Sequence, residues 1–422
     1  MTLLRILLAI LALMTGSLAA AQGQPSAGLR ERAASLVQLF NGAKKPEQLF
    51  SPSFLAAVPV AQVNAISQQL KGQLAAARSV AKIEASSATA GIVFLDFEKG
   101  TLQLRLNIAP APPHLIEGLL VTGVQVKGDS LAAVAAELRK LPGQTSLAVA
   151  RLGDGAPAAT ISHEAARPMA IGSTFKLFLL AELSRSVKAG ERSWSDVVKL
   201  DRRSLPSGFL QSWPEGAPMT LYTLAALMIS QSDNTATDTL LHVLGREKVE
   251  QLLPALGVKA PERNRPFLST LEAFALKTGA SAGWAGADEA KRRALLADLA
   301  KLTPAQVPLD KLGGSPKQID RIEWFASADD LVRTMDWLRL NGGKEVMDIL
   351  AINPGIGSAA AAGVTYLGYK GGSETGVMNM TFLVRGKSGQ WYAVSGGWND
   401  PKAAVDEARF AGLMRRAVSL LP

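Results

Sequence analysis

Two residues that can act together on a carbonyl group, Ser173 and Lys176, are spaced three positions apart in the sequence Ser-Thr-Phe-Lys. An apolar helix is predicted over Thr174–Leu183, so the lysine follows one turn after the serine on the same face. A serine hydroxyl becomes a nucleophile when a base removes its proton, and a desolvated lysine can be that base. The alternative is a plain helix cap at Ser173. Ser79 and Lys82 repeat the spacing without this context.

A second polar group, Ser232-Asp233-Asn234, separates two apolar helical segments, the first of which is predicted over Leu221–Ile229. A hydroxyl at Ser232 can relay a proton to a leaving group, and the amide of Asn234 can hold a substrate amide. The alternative is a helix–helix turn that Asp233 or Asn234 caps, because buried polar groups there need partners.

The third group is Tyr-Lys-Gly-Gly-Ser at 369–373, in a predicted strand near the carboxyl end of the chain. Lys370 is a cation for a substrate carboxylate, and the backbone N–H of Ser373 can join that of Ser173 in an oxyanion hole. Two glycines weaken a strand unless a ligand or another backbone approaches closely. The alternative is a glycine bulge with a lysine that faces solvent.

The composition excludes several other classes of protein. The chain has 422 residues, of which 48% are hydrophobic, so it can build a large core. Because cysteine is missing, disulfide scaffolds, thiolate zinc sites and cysteine nucleophiles are excluded. The three histidines are scattered, so neither a metal site nor a cofactor is expected. The net charge of +9 is not gathered into dense basic runs with aromatic residues, so no nucleic-acid partner is expected.

The first 21 residues are typical of a secretory signal peptide. Arg5 is followed by the apolar run Ile6–Met14 and by small residues at Ala19–Ala21. The apolar run is short for a membrane-spanning helix. We therefore predict an exported protein, periplasmic and without a stable membrane anchor.

Two domains follow the signal peptide. Residues 22–127 are predicted to form a small α+β domain, with largely helical residues 27–75 followed by strands at 92–97, 102–108 and 118–126. In residues 128–422, a strand at 146–151 and three strands near the end enclose alanine-rich helices. This order predicts one terminal antiparallel sheet flanked by helices, and thus an α/β (α+β) fold class. Residues 280–320 show no clear period.

The order Ser-x-x-Lys, Ser-Asp-Asn, Lys-x-Gly is the motif set of class A β-lactamases and penicillin-binding proteins, and residues 128–422 resemble that superfamily. The added N-terminal domain makes the chain similar to the two-domain esterase-like protein encoded in clavulanic acid clusters, whose N-terminal part has a cone-like fold. The resemblance implies that Ser173 is the acylated nucleophile, Lys176 its base and Ser232 the proton carrier. The substrate contacts that it implies are made by Asn234, Lys370, Gly372 and Ser373.

The function implied is that of an exported, monomeric serine hydrolase that acts through an acyl-enzyme on a small β-lactam or ester. Hydrolysis of a β-lactam is the default expectation. The alternatives are an esterase or a D-alanyl peptidase of the same fold, and a penicillin-binding sensor that does not turn over.

Two departures from the superfamily pattern bear on these alternatives. Gly371 stands where the superfamily usually has a hydroxyl residue, which removes a hydrogen bond to a substrate carboxylate. A literal Lys-Thr-Gly occurs at 277–279, but we interpret it as a helix end with Gly279 as its cap, because it follows a helical stretch too early in the chain.

The second departure concerns the glutamate with which class A enzymes deacylate. Glu272 is assigned this catalytic role here, with Glu262 as a second candidate. The alternative for Glu272 is structural, because Ser269 and Glu272 have the spacing of a capping box. If no glutamate serves, the acyl-enzyme is expected to be long-lived.

Overall fold

The computed structural model describes residues 24–280, 283–284, 286–299, 301–356 and 363–422. The predicted signal peptide lies outside the described residues. The chain forms two compact units, the first ending at Gly128 and the second spanning Asp129–Pro422. This division lies one residue beyond the predicted boundary between residues 127 and 128.

The first unit packs helices on one four-stranded antiparallel sheet. Its helices are α1 (Ala27–Phe40), α2 (Pro52–Ala57) and α3 (Val60–Leu74), and its strands are β1 (Ala77–Ala85), β2 (Ala90–Phe97), β3 (Gly100–Ile108) and β4 (Ile116–Val126). The sheet has the order β1-β2-β3-β4. Sequence analysis missed β1 because most of its side chains are at least partly exposed at the sheet edge, which hides any apolar alternation.

The second unit builds its main sheet from both of its ends. The strands are β5 (Gln144–Leu152), β6 (Ala158–His163), β7 (Met169–Ala170), β8 (Val197–Lys199), β9 (Pro218–Thr220), β10 (Phe325–Ala326), β11 (Tyr366–Glu374), β12 (Val377–Arg385) and β13 (Trp391–Asn399). The five-stranded sheet has the order β11-β12-β13-β5-β6. The pairing of β5 with β13 joins the two ends as predicted, and the predicted fold class is confirmed.

The helices of the second unit are α4 (Leu131–Leu138), α5 (Lys176–Lys188), α6 (Leu221–Ser230), α7 (Asn234–Leu244), α8 (Arg246–Leu252), α9 (Thr270–Ala275), α10 (Glu289–Leu299), α11 (Ala328–Asn341), α12 (Gly343–Ala351) and α13 (Glu407–Ser419). Of these, α4, α11, α12 and α13 pack on the five-stranded sheet. In α10 only Leu296 and Leu299 are buried, which explains why residues 280–320 showed no apolar period. None of the helices in the described part of the chain is long and apolar enough to cross a membrane.

The central helix α5 positions the first motif. Most of its residues are buried, and Leu177, Phe178 and Leu180 are fully buried where it packs against α7, α8 and α11. The helix was predicted to begin at Thr174 but begins at Lys176, because Gly172–Phe175 form a tighter 3₁₀ turn before it. Ser173 thus lies on that turn, at the mouth of a buried helix.

Candidate active site

The turn that carries Ser173 lies directly against β11. A Cβ added to Gly372 would be 2.3 Å from the backbone nitrogen of Ser173, and a Cβ added to Gly172 would be 3.1 Å from that of Ser373. Gly172 also has a φ of +48°, a conformation that favours glycine. The predicted close backbone approach therefore explains the glycine at 372, and it brings the amide groups of Ser173 and Ser373 onto touching segments.

Lys176 is completely buried at the start of α5. Its Nζ donates to the backbone oxygen of Ser232 at 2.7 Å and to Oδ1 of Asn234 at 2.8 Å, and it lies 3.1 Å from Oγ of Ser232. The first and second motifs, 56 residues apart, therefore meet at one amine.

Lys370 reaches the same hydroxyl from the sheet. Its Nζ lies 3.1 Å from Oγ of Ser232 and also donates to the backbone oxygen of Gly371. The alternative of a solvent-facing lysine is wrong, because Lys370 is only 3% exposed. We call Lys176, Ser232 and Lys370 the two-lysine cluster.

The environment of the two-lysine cluster disfavours positive charge. Burial, and then the charge of Lys370, holds the pKa of Lys176 well below its usual range, although Asp238 and Asp233 oppose the shift. Burial alone lowers the pKa of Lys370 to about 7. Near neutral pH Lys370 is therefore partly unprotonated, and burial also favours the neutral form of Lys176, which is the state that a general base requires.

Ser232 is held in a strained backbone conformation, with a φ of +54°. The next residue, Asp233, is fully buried and caps α7 by accepting from the backbone nitrogen of Ala236 at 2.9 Å. It also accepts from the backbone nitrogens of Phe209 and Leu210, at 2.8 and 2.9 Å. Residues 232–234 therefore form a capped helix–helix turn and also contribute to the polar cluster. Asp233 fixes the turn on which Ser232 lies.

Asn234 is 2% exposed and has protein partners at both side-chain atoms. Its Oδ1 accepts from Lys176, and its Nδ2 donates to the backbone oxygen of Leu205 at 3.2 Å. In this arrangement the amide orients the amine of Lys176. A substrate amide would have to share these atoms.

The position of Gly371 has a local explanation. A Cβ added there would lie 2.0 Å from the hydroxyl oxygen of Tyr369, two residues earlier on the same face of β11. The Tyr369 ring packs against Phe382, with centroids 4.9 Å apart. The tyrosine hydroxyl therefore occupies the space that a side chain at 371 would enter.

Glu272 is engaged away from the two-lysine cluster. Its Oε2 accepts from the backbone nitrogen of Ser269 at 2.7 Å, which completes the capping box at the start of α9, and its Oε1 pairs with Arg246 at 2.7 Å. The other candidate, Glu262, is exposed on a 3₁₀ turn. In the described chain neither glutamate has a hydrogen bond or ion pair with Ser173, Lys176 or Ser232.

One acidic residue near the site escaped sequence analysis. Asp238 lies on α7 and accepts from the backbone nitrogens of Thr270 and Leu271, at 2.7 and 3.0 Å, so it ties α7 to the start of α9. Burial raises its pKa to about 6. An aspartate within an apolar helix was the available signal, but its partners lie more than 30 residues away and have no local pattern.

The Ser79–Lys82 pair lies in β1. Both side chains are exposed there, and Nζ of Lys82 pairs with Glu84 at 2.6 Å, so this copy of the spacing lacks the buried setting of the Ser173 motif. Among the described residues no cluster of three or more histidine or acidic side chains could hold a metal ion.

A family profile matches part of the second unit. A profile described as the β-lactamase enzyme family matches residues 129–307, which include Ser173, Lys176 and Ser232 but end before Lys370. This match confirms the predicted resemblance to the β-lactamase superfamily and supports a serine hydrolase of that superfamily. A search of curated proteins found no match.

Solved structures similar to this chain include two β-lactamases and the protein PBP-A. A β-lactamase from Sphaerobacter thermophilus is 22% identical, with a TM-score of 0.49, over 69% of this chain and 97% of that one. A β-lactamase from Xanthomonas campestris pv. campestris is 18% identical, with a TM-score of 0.47, over 69% and 95% of the two chains. The protein PBP-A is also 18% identical, with a TM-score of 0.47, over 68% and 92%.

Proposed function

We propose that the second unit is a class A-like serine hydrolase that forms an acyl-enzyme at Ser173 with β-lactams or small esters. The observation that carries the proposal is the two-lysine cluster, in which one hydroxyl lies 3.1 Å from each of two buried amines. A structural ion pair would not gather two cations, because their burial and mutual repulsion cost free energy that a binding or catalytic role can justify.

In the proposed acylation, the neutral amine of Lys176 takes the proton of the Ser173 hydroxyl as its oxygen attacks the carbonyl carbon. The backbone N–H groups of Ser173 and Ser373 stabilise the resulting oxyanion. When the carbon–nitrogen or carbon–oxygen bond breaks, Ser232 donates its proton to the leaving atom. A proton from Lys176 or Lys370 then replaces the one that Ser232 has lost.

The substrate carboxylate pairs with Lys370 in this proposal. A bound carboxylate favours the charged form of that amine and opposes the effect of burial. The hydroxyl of Tyr369 takes the place of the side chain missing at Gly371 and supplies a hydrogen bond to the same carboxylate. The geometric support is the 2.0 Å between this hydroxyl oxygen and a Cβ at 371.

Deacylation is the slow step in this proposal. Because Glu272 is held by Ser269 and Arg246, the base that class A enzymes use is not free to activate water here. The same observation favours a second candidate function, a penicillin-binding sensor that keeps its acyl group. Export through the predicted signal peptide, a periplasmic location and a monomeric state remain part of the proposal.

Intact-protein mass spectrometry of the mature chain tests the proposal. The protein is mixed separately with a penicillin, a cephalosporin and a nitrophenyl ester, and adduct mass and substrate loss are followed. We expect an adduct that Ser173→Ala abolishes and that Ser79→Ala, the variant with matching motif spacing, retains. Sustained substrate loss identifies a hydrolase, and one stable adduct identifies the sensor. Native protein that forms no adduct and consumes none of the three would overturn the proposed function.

A further inference from the structure

A second buried charge cluster lies outside the proposed chemistry. Nζ of Lys277 pairs with Oε1 of Glu323 at 2.7 Å and with Oε1 of Glu374. The side chains of Lys277 and Glu323 are each 2% exposed, and that of Glu374 is 20% exposed. We call these three residues the carboxyl–lysine cluster.

One member of this cluster is adjacent in sequence to the proposed oxyanion hole, and another is adjacent to a segment that supports the Ser173 turn. Glu374 directly follows Ser373 on β11. Glu323 precedes Trp324, whose backbone oxygen accepts from the nitrogen of Ile171 at 3.0 Å and whose ring stacks on Phe175 at 3.7 Å.

Lys277 lies in the turn after α9 and pairs with both carboxyl groups. The carboxyl–lysine cluster therefore ties the Ser373 end of β11 to the segment that supports the Ser173 turn.

The charges of this cluster do not balance when all three groups are ionised. Two carboxylates and one lysine leave one buried negative charge, which is costly in a low-dielectric interior. Burial and then Glu323 raise the pKa of Glu374 to about 8, against the opposing effect of Lys277. Burial lowers the pKa of Lys277, but Glu323 and Glu374 outweigh it and raise that pKa above its usual value. At neutral pH the favoured state is a protonated Glu374 beside a charged Lys277.

We propose that the proton on Glu374 holds Ser373 against the Ser173 turn, so that its loss in alkaline solution loosens the oxyanion hole and slows acylation. Glu323, Glu374 and Lys277 are positioning residues, since none of them touches the reacting atoms in the proposed chemistry. The inference rests on the proposed acylation of Ser173. The groups that act on Glu374 are Glu323, from the segment before β10, and Lys277, from the turn after α9. Lys176 and Lys370 titrate separately.

The test compares native protein with Glu374→Gln, whose amide mimics the protonated carboxyl and cannot ionise. The acylation rate is measured by quenched mass spectrometry from about pH 6 to about pH 10, a range that spans the pKa of Glu374. We expect the native rate to fall as the pH rises through about 8. The pH–rate profile of the variant should lack that fall. It should keep the changes in rate that are caused by titration of Lys176 and Lys370. Glu215→Gln, at an exposed glutamate, is the matched control and should follow the native curve.

Hydrogen exchange gives a readout that does not depend on activity. In Ser173→Ala protein, peptides that contain Ser373 should lose protection between about pH 7 and about pH 9, after correction for the intrinsic exchange rate. Adding Glu374→Gln should remove that loss. Equal pH dependence of protection with and without Glu374→Gln would overturn the inference, whatever the acylation result.

The acylation curves separate the two proposals. If native protein acylates and Glu374→Gln shows the same alkaline fall, the positioning role is wrong and the proposed function stands. If native protein acylates at no pH, the proposed function fails, and hydrogen exchange alone decides whether the proton on Glu374 holds Ser373.

Discussion

The two buried charge clusters of the second unit each include a residue of β11, and they differ in the sign of the charge that predominates. In the two-lysine cluster, two amines share the hydroxyl of Ser232. In the carboxyl–lysine cluster, two carboxyl groups share the amine of Lys277. Lys370 and Glu374 lie four positions apart on β11. Burial favours the uncharged form in both clusters, lowering the pKa of both lysines in the first and raising that of Glu374 in the second.

The difference between the clusters lies in what the uncharged form can do. A neutral amine beside hydroxyl groups is a base that can take part in chemistry. A protonated carboxyl beside a carboxylate makes a strong hydrogen bond that fixes geometry. We therefore expect changes in the first cluster to affect chemistry, and changes in the second to affect the pH dependence of that chemistry.

The largest expected effect is that of Lys176→Met, which removes the amine but keeps an apolar chain. The proposed general base is lost, so the rate of Ser173 acylation should fall by about 10²–10⁴-fold. Lys82→Met, from the Ser-x-x-Lys copy in β1, should leave the rate unchanged. Quenched mass spectrometry measures both rates. If the acylation rate of Lys176→Met is within about tenfold of the native rate, another group acts as the base.

Gly372→Ala tests the strand that connects the clusters. Its new Cβ would lie 2.3 Å from the Ser173 nitrogen, so the strand or the turn must move. Losing one oxyanion donor costs about 10²–10³-fold in rate, and overpacking costs about 1–3 kcal/mol of stability.

Gly412→Ala on α13 is the matched control for Gly372→Ala. A Cβ at Gly412 meets no atom within 4 Å, so both effects should be missing there. Acylation rates and urea unfolding report the two effects separately. Native-like acylation by Gly372→Ala would remove Ser373 from the proposed oxyanion hole.

Lys370→Met should weaken binding of substrates that carry a carboxylate. A hydrogen bond to a charged group contributes about 1.5–3 kcal/mol, so KM should rise by about 10–150-fold. A neutral ester should show a much smaller change in KM. In native protein, KM for the carboxylate substrate should increase as the pH rises through about 7, because Lys370 then loses its charge. An equal rise in KM for both substrate types would contradict the carboxylate pairing.

Tyr369→Phe should have a smaller effect, because it removes one hydroxyl and leaves the ring on Phe382. A net hydrogen bond contributes about 0.5–1.5 kcal/mol, so KM for carboxylate substrates should rise by about two- to tenfold. The double variant Tyr369→Ala/Gly371→Thr places a hydroxyl at position 371, where the superfamily usually has one. Its KM for carboxylate substrates should be lower than that of Tyr369→Ala alone. Equal KM values for these two variants would indicate that the tyrosine serves packing alone.

Much of this arrangement was predictable from local patterns. The order of the three motifs predicted Ser173, Lys176 and Lys370 through its resemblance to the β-lactamase superfamily, and the structure brings both lysines to the hydroxyl of Ser232. The strain at Ser232 and the partners of Asn234 depend on residues far away in sequence. The carboxyl–lysine cluster was not predictable, since its members lie 46 and 97 residues apart and only folding brings them together. Lys277 lies at a helix end, as predicted, but nothing local indicated its two partners.

The smallest expected effect on chemistry is that of Glu272→Gln, although Glu272 is the residue to which sequence analysis assigned deacylation. A glutamine at the third position of α9 can still complete the capping box with Ser269, so only the ion pair with Arg246 is lost. The deacylation rate should therefore stay within about twofold of native, far from the loss that removal of a general base causes. Glu272→Ala should lower the free energy of unfolding by about 1 kcal/mol, because it also removes the cap. Decay of the acyl adduct and urea unfolding measure the two effects. A tenfold slower decay in Glu272→Gln would restore Glu272 as the base and require it to leave Arg246 when substrate binds.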